Sequence, residues 1–226
     1  MKHADGAPGE PVKVTSKRVD IAVARPALLS WIYDTWAYWP AATNKNSLGI
    51  VSFGEYASNT DLSRFLRVIR AIWKKPEFTI VRFGQGVGVP VSTSGNLGIV
   101  PNVQMQYAQA IAFPTLHISY VLGPGPPGTD DVFVPWLDYM INLDARFVSK
   151  TILIPQGNSE MLFSREQAVL VCNRLATLGA RGVSVLVASG NNGVGQGGCK
   201  DGSGKVRFLP PFRSPCTCGV FFLARK

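Results

Sequence analysis

No feature limits the folds open to this chain more than the stretch from Thr177 to Cys199, TLGARGVSVLVASGNNGVGQGGC. It reads as a helix end, a turn, a short apolar strand and a glycine-rich loop. Gly179 follows a helical pattern and is expected to close that helix in the left-handed conformation, which costs glycine nothing. Val183 to Ala188 is apolar and rich in β-branched residues, as expected of a strand buried on both faces of a parallel sheet. Ser189, Gly190, Asn191, Asn192 and Gly193 then open a loop at the strand's carboxyl end, where α/β folds place their sites.

The remaining periodicities fit the same architecture. Helical spacing is expected from Pro26 to about Tyr38, Asp61 to Trp73, Val100 to Ala112, Val132 to about Asp144 and Ser164 to Leu178. Ser164 stands where an N-cap belongs, with Glu166 and Gln167 in the following turn. Strands are expected at Leu48 to Phe53, Phe78 to Phe83, His117 to Leu122 and Thr151 to Ile154. Strand and helix alternate, which calls for a mostly parallel sheet with helices on both faces. Trp31, Trp36 and Trp39 make an aromatic stripe of the kind that more often packs than binds a cofactor. Residues 1–25 read as a polar lead-in and 26–226 as one α/β domain. Gly219 to Lys226 stops on a strand-like run, so the domain is expected to be cut short at its C-terminus.

Composition narrows the function. Lys and Arg number 23 against 14 Asp and Glu, a net charge of +9, but the basic residues are scattered rather than gathered into a nucleic-acid footprint. No apolar segment reaches the length of a membrane span. The cysteines are Cys172, Cys199, Cys216 and Cys218; a Cys-x-Cys pair without a nearby histidine is a poor zinc set, so no metal is expected. Of the two histidines, His3 lies in the lead-in. His117 sits in an apolar strand, where a satisfied core histidine is the expectation. The run Gly84-Gln-Gly-Val-Gly88 follows a strand but opens into no helix, which argues against a dinucleotide loop. No cofactor is expected.

Several blocks, taken in order, resemble the sedolisin family of serine-carboxyl peptidases, above all its fungal tripeptidyl-peptidase members. They are Pro26 to Tyr33 with Ala42 to Val51, Glu55-Tyr-Ala-Ser-Asn-Thr-Asp-Leu62 with Phe65, Asn102 to Pro114, Val171-Cys172, Leu178 to Leu186 with Ser189-Gly-Asn-Asn-Gly193, and Phe208-Leu-Pro-Pro-Phe212 with Cys216. The resemblance covers residues 26 to about 216. It implies a subtilisin-like fold, peptide or protein substrates, and export of the parent enzyme to an acidic setting.

It also implies a particular chemistry. A serine attacks the peptide carbonyl, a glutamate serves as base and then acid, an aspartate tunes that glutamate, and a second, protonated aspartate donates to the oxyanion. The Glu and Asp lie four residues apart on one helix face. At those two positions this chain carries Val100 and Gln104, and Asn191 stands at the oxyanion position. No Asp or Glu occurs between Glu77 and Asp130, so no shifted alignment restores the pair. The nucleophile's block and the calcium segment that follows it in the family have no counterpart, so no calcium is expected. Gly157 with Ser189, Gly190 and Asn191 would floor the substrate cleft. If the chain is exported, Cys199 with Cys216 is the expected disulfide, leaving Cys172 buried in its helix and Cys218 unpaired. The resulting expectation is a sedolisin-like domain that does not cut peptides. The alternatives are an active acid peptidase with a displaced site, or a pseudoenzyme that binds peptides.

Overall fold

The computed structural model describes residues 25–41, 46–70, 77–84, 98–123, 132–156, 164–188, 203–205 and 220–223. The chain divides into two units, residues 1–36 and 37–226. In the first, helix α1 spans Pro26–Ile32, with proline in its first turn. It is shorter than the aromatic spacing suggests: Tyr33 caps it, and Asp34 takes a positive φ of 53°. Its aromatic stripe does not form a core, since Trp31 is 65% and Trp36 64% exposed.

The second unit is built on a sheet of β1 (Ser47–Phe53), β2 (Phe78–Phe83), β3 (Leu116–Leu122), β4 (Thr151–Ile154), β5 (Ser184–Ala188) and β6 (Val220–Leu223). The strand order is β2-β3-β1-β4-β5-β6 and every pairing is parallel. Parallel neighbours need crossover connections. Here they are α2 (Asn59–Arg70), α3 (Ile99–Ala112), α4 (Phe133–Asn142) and α5 (Arg165–Ala180).

Those helices form two layers. Leu62 and Leu66 of α2 and Met105 and Ala110 of α3 pack with Ile50 and Phe78 on one side of the sheet. Trp136, Leu137 and Met140 of α4 and Val171, Leu175 and Leu178 of α5 pack with Val51, Tyr120, Ile152 and Val185 on the other. Burying a large apolar side chain of this kind contributes about 1.5–3 kcal/mol, so the α4–α5 layer carries the larger share of the core.

Local chemistry explains the helix limits. Ser164 accepts from the Gln167 amide while the Gln167 side chain accepts from the Ser164 amide, the reciprocal capping box that the sequence announces. At the other end the expectation for Gly179 is corrected. Gly179 stays helical, and Gly182, at φ 77°, takes the left-handed position. The extra turn is held by Val183 donating to the Leu178 carbonyl at 3.0 Å, with Leu178 fully buried. In β5, Ser184 is exposed while Val185 and Val187 are buried, so this strand alternates rather than hiding both faces. Arg181 caps a neighbouring helix: its guanidinium donates to the carbonyls of Met140, Ile141 and Leu143 at the end of α4.

Candidate functional site

The carboxyl ends of β1, β2 and β3 are stitched together by backbone. Gly54, at φ 75°, donates to Leu122 at 2.7 Å, and Gly123 donates to Phe83 at 2.6 Å. A Cβ on Gly123 would lie 3.2 Å from that Phe83 oxygen, so glycine permits the close approach. From this rim the β1–α2 segment reaches the start of α3. Gly98, the N-cap of α3, donates to the Tyr56 carbonyl at 3.1 Å, and the Asn102 side chain accepts from the Ser58 amide at 2.8 Å. Ser52 Oγ donates to the Glu55 carbonyl at 3.0 Å, fixing the turn that aims this segment.

Glu55 is the residue that sequence reasoning did not single out as a site group. Its exposed side chain packs on Gly98, where a Cβ would come within 2.7 Å of the Glu55 Cβ. A carboxylate there meets the positive end of a helix whose own first turn carries no acid. Beside it the Arg82 guanidinium lies 5.0 Å from the centre of the Tyr56 ring, and Arg82 Nε is buried without a partner. The signal for Glu55 was its place just past the end of β1, at the rim where α/β sites collect.

On α3, Val100 and Gln104 lie one helical turn apart. Val100 is 51% exposed, beside Ile99 and Val103, which are also exposed. Gln104 is half-buried, with its Oε1 buried and unpartnered. Val100 can neither give nor take a proton. Gln104 can hydrogen-bond but does not ionise. Leu153 and Ile154 complete β4, and Pro155 and Gln156 follow it at the same rim. Gly157, Ser189, Gly190 and Asn191, the expected floor of a cleft, lie outside the described residues, as do Cys199, Cys216 and Cys218.

Cys172 corrects an expectation. It is half-buried on α5 and disulfide-bonded rather than a free cysteine shut into its helix. The expected Cys199–Cys216 pairing lies outside the described residues. Among the described residues no cluster of three His, Cys, Asp or Glu forms a metal set, and no helix is long and apolar enough to cross a membrane.

A six-stranded parallel sheet with helices packed on both faces defines an α/β fold. No family model matches the chain. It is similar to the probable tripeptidyl-peptidase SED3 of Trichophyton verrucosum, 26% identical over 208 residues, covering 86% of this chain and 35% of that protein. It is also similar to tripeptidyl-peptidase sed4 of Aspergillus fumigatus, 23% identical over 229 residues, covering 95% of this chain and 38% of that one. Among solved structures it is similar to a Pseudomonas sedolisin, a serine-carboxyl proteinase complexed with pseudo-iodotyrostatin. The TM-score is 0.61 at 16% identity, covering 88% of this chain and 52% of that chain. The chain spans little more than a third of the length of these curated relatives. Its fold is the sedolisin/subtilisin-like α/β fold.

Proposed function

We propose that this sedolisin-like domain binds peptides without hydrolysing them. The observation that supports this most is α3 itself. The helix that resembles the family's acid-bearing helix runs from Ile99 to Ala112 without one carboxylate. A partly exposed alkyl side chain, Val100, stands where the general base would be. General acid–base catalysis supplies about 10²–10⁴-fold of rate, and a valine supplies none of it. Asn191, at the oxyanion position by resemblance, keeps an amide that can donate a hydrogen bond. The substrates that the relatives' names imply, peptides or proteins, become ligands here, and an extracellular location is part of the same proposal.

One observation favours a second reading, an active peptidase with a displaced base. The Glu55 carboxylate lies against the start of α3, two residues before Val100. If the chain turns over peptides, Glu55 is the acid placed to act.

Tripeptide release from a reporter peptide with a free amino terminus separates the two readings. It is measured between about pH 4 and pH 6, around and above the carboxylate range, on protein shown folded by circular dichroism at each pH. The binding reading expects reporter binding without release. Turnover that disappears in Glu55→Gln would replace it with the second reading.

A further inference from the structure

His117 is the one titratable side chain in the α2–α3 layer of the described core that lies wholly inside it. It opens β3, paired with Leu48 of β1 on one side and Phe78 of β2 on the other. Both neighbours belong to the cluster that seats α3 on the sheet. Its Nδ1 lies 2.7 Å from the Thr115 carbonyl. A carbonyl only accepts, so Nδ1 carries the proton and Nε2 is the bare nitrogen. Nε2 is buried with no hydrogen-bond partner.

Among the described residues of the elements packed around it, no charged side chain offsets a proton placed there: on α2, Asp61 and Arg64 pair with each other at 4.0 Å toward solvent, and Arg67 is exposed. β1 and α3 contain no charged side chain, and the titratable group on α3, Tyr107, stacks on Phe65 with ring centres 5.6 Å apart. Glu77, just before β2, is exposed. Arg82, on β2, is four positions along the ladder from the Phe78–His117 pair and lies over Tyr56. Burial holds the imidazole below its ordinary range; the nearby backbone of Thr115 and of Ala108 on α3 oppose this more weakly.

We propose that His117 makes the seat of α3 acid-labile: a proton on Nε2 loosens the β2–β3–α3 side of the domain, and with it the helix face bearing Val100 and Gln104. An imidazolium inside an apolar cluster loses its hydration without gaining a counter-charge. The unfolded chain, whose histidines titrate near 6.5, takes the proton first. Stability contributed by neutral His117 is therefore complete above about pH 6.5 and is lost as pH falls from there toward the lower folded-state value. This would set the chain apart from the acid setting that its resemblance implies.

The test compares the full chain with His117→Asn, whose side-chain amide can still donate to Thr115 from the Nδ1 position. Denaturant unfolding is followed from pH 7.5 to 5.5, above the carboxylate range. In the parent the unfolding constant rises as pH falls through about 6.5, by at most tenfold per pH unit, the limit for one proton. In His117→Asn that one-proton slope is absent, whatever its stability at pH 7.5. An unchanged slope in the variant overturns the proposal. Two further readouts do not need the variant to fold. In His3→Gln, which leaves a single imidazole, the ring resonance of folded protein titrates below pH 6.5; a midpoint at or above 6.5 overturns the proposal. Amide exchange on lowering the pH, corrected for intrinsic rates, loses protection first in α3, β2 and β3. A loss that is equal in α4 and α5 overturns it as well.

Discussion

Replacing Gly49 by alanine tests whether the centre of the sheet is packed as tightly as its geometry implies. The added Cβ would lie 2.7 Å from Tyr120 Cε2, 3.2 Å from Cδ2 and 3.3 Å from the Ser149 Cβ. Carbon atoms prefer about 3.5–4.0 Å, so something must move by most of an ångström. The Tyr120 ring has little room to do so. It is 2% exposed, its hydroxyl lies 3.3 Å from Ser149 Oγ, and Ser149 Oγ in turn accepts from Ser47 Oγ at 3.0 Å. Its ring centre is 5.8 Å from that of Trp136 and 6.4 Å from that of Phe83. Overpacking at such a site costs about 1–3 kcal/mol. The lower chain entropy of the unfolded alanine variant returns about 0.4–1 kcal/mol. A net loss of roughly 0–2.6 kcal/mol remains, which for a chain of this size lowers Tm by up to roughly 10 °C. Urea unfolding gives the free energy directly. In a Tyr120→Leu background the obstructing ring is gone, and the alanine should cost less than about 0.5 kcal/mol. A stabilising Gly49→Ala in the parent, or an equal cost in both backgrounds, would refute the reasoning.

Two further predictions concern the α4–α5 layer. Arg181→Ala removes a guanidinium that donates to three carbonyls at the end of α4 and should cost on the order of 2 kcal/mol; Arg181→Lys should recover less than half, because one ammonium cannot span the three, and full recovery in a urea melt would show that charge alone suffices. Ser164→Ala breaks the capping box and should cost about 1 kcal/mol, with faster amide exchange confined to the first turn of α5; an unchanged melt would mean that packing alone sets that helix start.

Much of this architecture was legible because its signals are local. Apolar spacing marked β2 and β4 to the residue and β1, β3 and β5 to within one residue, and Ser164 with Gln167 announced the start of α5. The alternation of strand and helix then calls for parallel pairing, since crossover connections permit no simpler arrangement. The resemblance of short blocks pointed to the sedolisin type, and with it to Val100 and Gln104 as the residues in the acid positions.

Other features depend on which distant segments meet. Gly179 carries a local helix-stop signal, but with Leu178 buried the helix runs two residues further, to Ala180, and the left-handed position falls to Gly182. The aromatic stripe of α1 has the spacing of a packed face, and spacing cannot say whether a partner surface exists. Cys172 looked like an ordinary buried thiol until the fold brought another cysteine to it. Glu55 and Gly98 are far apart in the chain and adjacent only because the ends of β1 and β2 share a rim. Residue types and their periodicity determined the elements, the layering and the want of a carboxylate on α3. Tertiary structure alone decided that an acid from another segment faces that helix and that the core histidine beneath it leaves Nε2 without a partner, because contacts are properties of the assembled sheet.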